Sequence, residues 1–404
     1  MTAADLATLD LADPQTFLDV DLTELWRTLR AESPVHWNEP RGDNPGFWVV
    51  SRYADCVTAY KDNKRLTSER GNVLTTLLQG NDSASGKMLA VTDGARHRAV
   101  RNLMLKSFSP RLLEAVAEQV RKRTRGLLED VIARGECDFA TDVADHIPIN
   151  TIGDLMDVPV ADRARLVDWN NRTLSRVSSE DSQMDEWLAR NEILLYFSDL
   201  ADQRRRNPGD DVLSTLANGL VDGAPLAEDE VVFNSYSLIL GADESSRMSS
   251  IGAILALAQN PEQWRKLKSG EVGIDTATEE VLRWTTPAMH FGRRAVEDVE
   301  LGGRTIRADD VVTLWNSSAN FDEEVFPDPT RFDLARTPNR HIAFGFGPHF
   351  CLGAFLGRAH VGSVLEGLRD LVSEIRVPGP GTRLYSNFVY GYSSLPVELV
   401  PEKA

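Results

Sequence analysis

Cysteine is scarce in this chain. Cys56, Cys137 and Cys351 are the three among 404 residues, too few and too scattered for a disulfide framework, which suits a reducing compartment. A surplus of positive charge is also missing. Lys and Arg number 44 against 61 Asp and Glu, a net charge of −17, which argues against nucleic acid or an anionic membrane as a partner. No apolar run approaches the length of a membrane span. The first residues, Met1-Thr-Ala-Ala-Asp-Leu6, lack the basic and apolar segments of a signal peptide, so the expectation is a soluble, cytoplasmic protein. No Pro/Gly/Ser linker, low-complexity tract or internal repeat divides the chain. Residues 1–404 are therefore expected to form one domain, and the apolar fraction of 42% is ample for its core.

What is present is mostly helical periodicity. Leu22 to Arg30 reads as an amphipathic helix, followed by strand-like Val35–Trp37 and Phe47–Ser51. Residues 65–90 form a long irregular stretch, and loops of that length inside a compact domain are usually functional or disordered. Helices are expected over Ala95–Ser107, Pro110–Arg134, Ile149–Met156, from Pro159 to about Arg206, Glu228–Ala258 and Thr276–Thr286. Pro225 and Asn260-Pro261 bracket the long central helix. Strand signals follow at Met289–Ala295, Thr305-Ile306, Val311–Leu314 and Val397–Val400. The fold class is mainly α, with a small β-sheet region in the second half.

The chemistry concentrates in Phe344-Gly345-Phe-Gly-Pro-His349-Phe-Cys351-Leu-Gly353. A lone cysteine sits in a glycine-kinked loop with a helix-forming run behind it, and a helix N-terminus beside a sulfur favours the thiolate. Such thiolates can ligate haem iron. The competing reading is a buried, inert cysteine in a Gly/Phe-rich turn. Within the central helix, Gly241-Ala242-Asp243-Glu244-Ser245-Ser246 weakens helix propensity and leaves room for a flat ligand. Its acid and hydroxyl side chains could open the ladder locally and relay protons through ordered water. Glu280 and Arg283 are three apart and share a helix face. His97 and Arg101 are four apart on another.

These elements resemble the cytochrome P-450 family over roughly Phe47 to Val400. The cysteine loop is similar to that family's haem-binding signature, and Ala242–Ser245 to its oxygen-activation motif, with Ala242 for the usual Gly and Ser245 for the usual Thr. Glu280 and Arg283 match its Glu-x-x-Arg element, and Phe326–Phe332 the segment whose arginine, here Arg331, completes a buried Glu–Arg–Arg network. The resemblance implies a triangular, mainly helical domain with the central helix over haem b, and Cys351 as axial ligand. Phe344, Gly345, Gly353 and Ala242 would lie against the haem. His97, Arg101, Arg293 and His349 would meet its propionates, and Glu244 and Ser245 would deliver protons. Gly357 and His360 replace the commoner Ala and Glu of the following helix, so local packing differences are expected there.

By the same resemblance, Met88, Met289, His290, Phe291, Phe388, Val389 and Tyr390 would wall the substrate pocket, a mix that suggests a sizeable, partly aromatic or peptide-derived small molecule. Electrons would come from a separate ferredoxin and ferredoxin reductase, docking near Arg96, Arg98, Lys106, Arg340 and Arg358. The implied activity is a monooxygenase that uses dioxygen to hydroxylate or epoxidise an organic metabolite, as in secondary-metabolite tailoring. Oxidative cyclisation or C–C/C–N coupling without oxygen retention is the enzymatic alternative, and a haem-binding sensor the non-enzymatic one.

Overall fold

The structure, a computed structural model, describes residue 6, residues 8–173 and residues 180–402. The 32-residue helix Glu228–Gln259 runs through its middle, about 48 Å at 1.5 Å per residue. Three acids, Glu228, Asp229 and Glu230, open it, placing negative charge at the positive end of the helix dipole. Glu230 also folds back to accept the backbone N–H of Ala227 at 2.9 Å. Asn260-Pro261 ends it and starts the next helix, Pro261–Lys268. Helix Pro110–Arg134 follows the same logic: Ser109 caps it, proline occupies its first position, and Gly135 at φ 91° stops it, a conformation that only glycine adopts without strain.

The cysteine-proximal helix, Ala354–Leu371, packs against Pro110–Arg134, Ile274–Thr285 and the central helix. Its buried stripe, including Leu356, Val361, Val364, Leu365 and Leu368, joins the largest apolar cluster. The main sheet has five strands in the order Val35–Asn38, Phe47–Val50, Val311–Trp315, His290–Ala295, Leu66–Thr67. All neighbours are antiparallel except Phe47–Val50 with Val311–Trp315. Val372–Arg376, Pro396–Pro401 and Glu136–Asp138 form a second sheet.

Three expectations change. Residues 65–90 are not wholly irregular, because they hold the short strand Leu66–Thr67, the helix Leu74–Leu78 and the 3-10 turn Leu89–Val91. The run after Pro159 is two helices, Val160–Thr173 and Glu180–Arg206, and the expected continuity through 174–179 lies outside the described residues. A π-helical turn, Ala140–Ala144, precedes the helix His146–Leu155. Buried Asn234 of the central helix fastens the end of the 65–90 stretch. Its Oδ1 accepts from Leu89 N at 2.8 Å and its Nδ2 donates to Lys87 O at 2.9 Å.

Candidate active site

Cys351 lies between the 3-10 turn Gly347–His349 and the helix that starts at Ala354. Its N–H donates to Phe344 O at 3.0 Å, closing the loop on itself. Gly347 has φ +71°, and a Cβ there would stand 2.8 Å from Tyr60 O, so the loop can approach the Tyr53–Lys61 helix only with glycine at that position. The thiol departs from the sequence expectation. Burial pushes its pKa up, and the Gly353 N–H, Arg101 and Arg358 only partly oppose this. Desolvation of the anion outweighs the local dipole.

The Gly357 substitution has a visible cause. A Cβ there would lie 3.1 Å from the ring of Phe344, which also receives the Arg358 guanidinium at 4.7 Å from its centroid. His360 is buried where a Glu was the commoner residue. One of its ring nitrogens meets Thr151 Oγ1 at 2.9 Å, and burial lowers its pKa to about 4.

His97, Arg293 and His349 converge beside this loop, Arg101 facing it. The Arg293 side chain is 2% exposed, and burial lowers its pKa. Its NH1 donates to Gly292 O at 2.7 Å, while Nε has no partner. Among the described residues no carboxylate is within ion-pairing distance of it. His97 is equally buried, its Nε2 is unpartnered, and desolvation together with nearby His349 and Arg101 brings its pKa to about 4. The rings of His97 and His349 lie 4.3 Å apart, and His349 Nε2 meets Asp93 Oδ1 at 2.8 Å. Arg101 differs from expectation in that its NH2 donates to the carbonyl of Phe350 at 2.6 Å. A buried cation without an anion is expensive, so this cluster fits a ligand that brings carboxylates. Haem with its two propionates fits that donor set.

The central helix presents Leu240 and Gly241 as exposed residues in an otherwise largely buried run, and a Cβ built on Gly241 meets nothing within 4 Å. Ser245 Oγ donates to Gly241 O at 3.0 Å, and Ala242 and Glu244 are half-buried beside it. Asp243, which sequence reasoning passed over, is fully buried on the far side. It accepts from Asn170 Nδ2 at 2.7 Å and shares its surroundings with Arg247, which pairs with Asp145 at 2.7 Å. Burial raises Asp243 to about 6, opposed by Arg247.

The Glu280–Arg283 pair exists as expected, with both side chains fully buried and contacts of 2.8 Å. Its third member requires a correction. Arg331 is exposed and contributes only its backbone carbonyl, which accepts from Arg283 and Arg336. The guanidinium that reaches Glu280 is that of Arg336, at 3.2 and 3.1 Å. Asn339 and the N–H of Asp333 complete the carboxylate's partners.

Of the expected pocket wall, the segment at 288–291 and the turn at 388–390 are brought together by Met289 N–Phe388 O at 2.9 Å and Tyr390 N–Pro287 O at 2.8 Å. Phe291, Phe388, Tyr390 and Met88 keep part of their surface. Met289, His290 and Val389 do not, being 1%, 0% and 5% exposed. His290 packs against Trp315 at 4.4 Å with the ring planes tilted by 40° and meets Phe388 edge-on, so these three back the wall and do not face an open space.

Comparison with known proteins agrees with this geometry. The family model described as Cytochrome P450 matches residues 274–368. The chain is 48% identical over 399 residues to cytochrome P450 NovI of Streptomyces niveus, covering 99% of this chain and 98% of that one. It is 31% identical to linalool 8-monooxygenase of Pseudomonas putida, covering 97% and 99%. Among solved structures, P450 OxyD, described as involved in the biosynthesis of vancomycin-type antibiotics, superposes with a TM-score of 0.89 at 34% identity over 98% of this chain and 100% of that one. The identity to NovI extends over nearly the whole of both chains, and the fold is that of OxyD: this chain belongs to the cytochrome P450 family.

Proposed function

We propose that the whole chain is one haem-thiolate monooxygenase domain, in which Cys351 would hold the haem iron through its sulfur, with a secondary metabolite as substrate. The observation that carries this reading is the juxtaposition of Cys351 and its neighbour His349 with buried Arg293, which has no carboxylate partner among the described residues, and with the unpartnered Nε2 of His97. When bound, the haem supplies activation of dioxygen, which the thiolate's electron donation favours. His97, Arg293 and His349 would hold the propionates, with Arg101 supporting the cysteine loop through the Phe350 carbonyl. Phe344, Gly345 and Gly353 shape the loop, and Gly241 and Ala242 leave room above it.

Ser245 donates its hydroxyl hydrogen to Gly241 O, which leaves its oxygen lone pairs to accept from a water. Glu244, one residue earlier, is the carboxylate that would resupply that water with a proton. Serine lacks the methyl that fixes the threonine rotamer, so this hydroxyl is held less tightly. Phe291, Phe388, Tyr390 and Met88 would line the substrate side. The relationship to OxyD supports a tailoring role.

Electrons would arrive from a separate ferredoxin and reductase. Two of the cations expected at that docking face already have partners: Arg96 pairs with Glu230 and Arg358 with Glu279. Arg98, Lys106 and Arg340 are the exposed ones that remain. No helix among the described residues is long and apolar enough to cross a membrane. The test is NADPH consumption with a heterologous ferredoxin and reductase, followed by oxygen-18 analysis of the product. Label from dioxygen in the product supports insertion. Oxidised product without label turns the reading to coupling, and no substrate-dependent turnover turns it to sensing.

A further inference from the structure

Asp93 sits where a helix cap is expected, immediately before the helix Gly94–Ser107, yet its side chain makes no capping bond. An Asp at that position ordinarily stabilises a helix by accepting from its N-terminal amides. Here the carboxylate, 8% exposed, is turned elsewhere. Oδ2 accepts from Thr67 Oγ1 at 2.8 Å and Ser68 N at 2.7 Å. Oδ1 accepts from His349 Nε2 at 2.8 Å and, more weakly, from Asn63 Nδ2 at 3.4 Å.

One carboxylate thereby joins three elements that carry propionate donors. His97 lies on the helix that Asp93 precedes. Thr67 is paired in the sheet with Arg294, next to Arg293. His349 belongs to the cysteine loop. Both oxygens of Asp93 are engaged in this way, and Arg293 and the Nε2 of His97 remain without an acidic partner.

We propose that Asp93 is a positioning residue of the haem pocket: by holding the Nε2–H of His349 it sets that ring and its tautomer, and ties the cysteine loop to the elements bearing His97 and Arg293. It touches neither iron nor substrate and acts through His349. The ring nitrogen left for a further partner is Nδ1, and Arg293 is left without a carboxylate partner for the propionates. This inference rests on the haem reading above.

The test is the rate at which haem-loaded protein gives up its haem to excess apomyoglobin. Asp93→Asn, His349→Phe, the double variant and Thr67→Val are compared with the parent. Asp93→Asn and His349→Phe are each expected to speed haem loss about tenfold or more, the scale of a hydrogen bond to a charged group. The double variant is expected to be no faster than His349→Phe alone. Thr67→Val removes one of the bonds that hold the carboxylate and is expected to speed haem loss by less than Asp93→Asn does. Additive effects of the two substitutions, or no effect of Asp93→Asn, overturn the proposal.

A second measurement needs no Asp93 variant. Nitrogen-15 histidine spectra of the ferrous, carbon monoxide-bound protein are expected to show His349 protonated at Nε2, its signal assigned by its loss in His349→Phe. A ring protonated at Nδ1 alone overturns the assignment. A parent protein that retains haem with a thiolate-type carbon monoxide spectrum, yet fails these tests, refutes only the role of Asp93. One that binds no haem refutes the reading beneath it.

Discussion

Replacing Arg336 with alanine is expected to damage the fold far more than replacing Arg331, although Arg331 is the residue the sequence pattern nominates. The Arg336 side chain is 9% exposed and Glu280 is fully buried. The Arg336 Nε contacts both Glu280 oxygens, and its terminal nitrogens donate to the carbonyls of Pro327 at 2.7 Å, Asp328 at 3.1 Å and Arg331 at 2.9 Å. Truncation leaves Glu280 with Arg283, Asn339 and the Asp333 N–H, so the carboxylate is not abandoned, but one buried charged contact and several carbonyl bonds are lost. Taking about 2 kcal/mol for the charged contact and somewhat less for the carbonyls together gives a loss of about 3–4 kcal/mol. That is a fifth or more of the stability of an ordinary domain. Arg331→Ala removes an exposed side chain and leaves the accepting carbonyl in place, so its effect stays within about 0.5 kcal/mol. The assay is urea unfolding of the haem-loaded proteins, followed in parallel by circular dichroism and haem absorbance. A midpoint for Arg331→Ala at or below that of Arg336→Ala would refute the assignment.

Three further outcomes are expected. Ser245→Ala leaves NADPH oxidation within a few-fold of the parent while product per NADPH falls tenfold or more and peroxide rises, and Ser245→Thr improves coupling; equal coupling in all three contradicts the proton-delivery role. Burial raises Asp243 from its ordinary 3.8 to about 6, so the folded chain holds this proton more tightly than the unfolded one. Its contribution is therefore favourable at low pH and is lost as pH rises between about 4 and about 6, by about 3 kcal/mol. Asp243→Asn is expected to flatten stability across that interval, and an unchanged pH profile counts against the burial argument. Arg293→Leu removes a buried, unpaired cation, so it raises the unfolding midpoint of the haem-free protein while speeding haem release roughly tenfold or more; lower apo stability would show that the cation already has its anion.

Much of this was legible in the residues. The central helix and Pro110–Arg134 stood out because proline, asparagine and glycine punctuate their ends; a 3.6-residue apolar stripe fills Pro110–Arg134, whereas the central helix is buried on most of its sides. The loop of Cys351 was legible because glycines and a following helix mark it locally. What could not be read was which distant side chain meets which. Arg331 and Arg336 lie five apart in a loop without periodicity, and only the packed chain shows which guanidinium turns inward. Asp93 and His349 are 256 residues apart, and a residue placed like an N-cap gives no sign that it will not cap. The Cys351 thiol illustrates a competition between terms: the helix N-terminus is visible in the sequence, but the burial that outweighs it is a property of the fold. Strands as short as Thr382–Arg383 and Tyr392–Ser394 offer too few residues for an alternating pattern to register.

The most direct test of the account is the carbon monoxide difference spectrum of the dithionite-reduced protein, recorded beside Cys351→Ala. Thiolate ligation predicts a strongly red-shifted Soret band in the parent that disappears in the variant. A band typical of histidine-ligated haem that survives the loss of Cys351, or a protein that retains no haem at all when expressed with iron and a haem precursor, would contradict it.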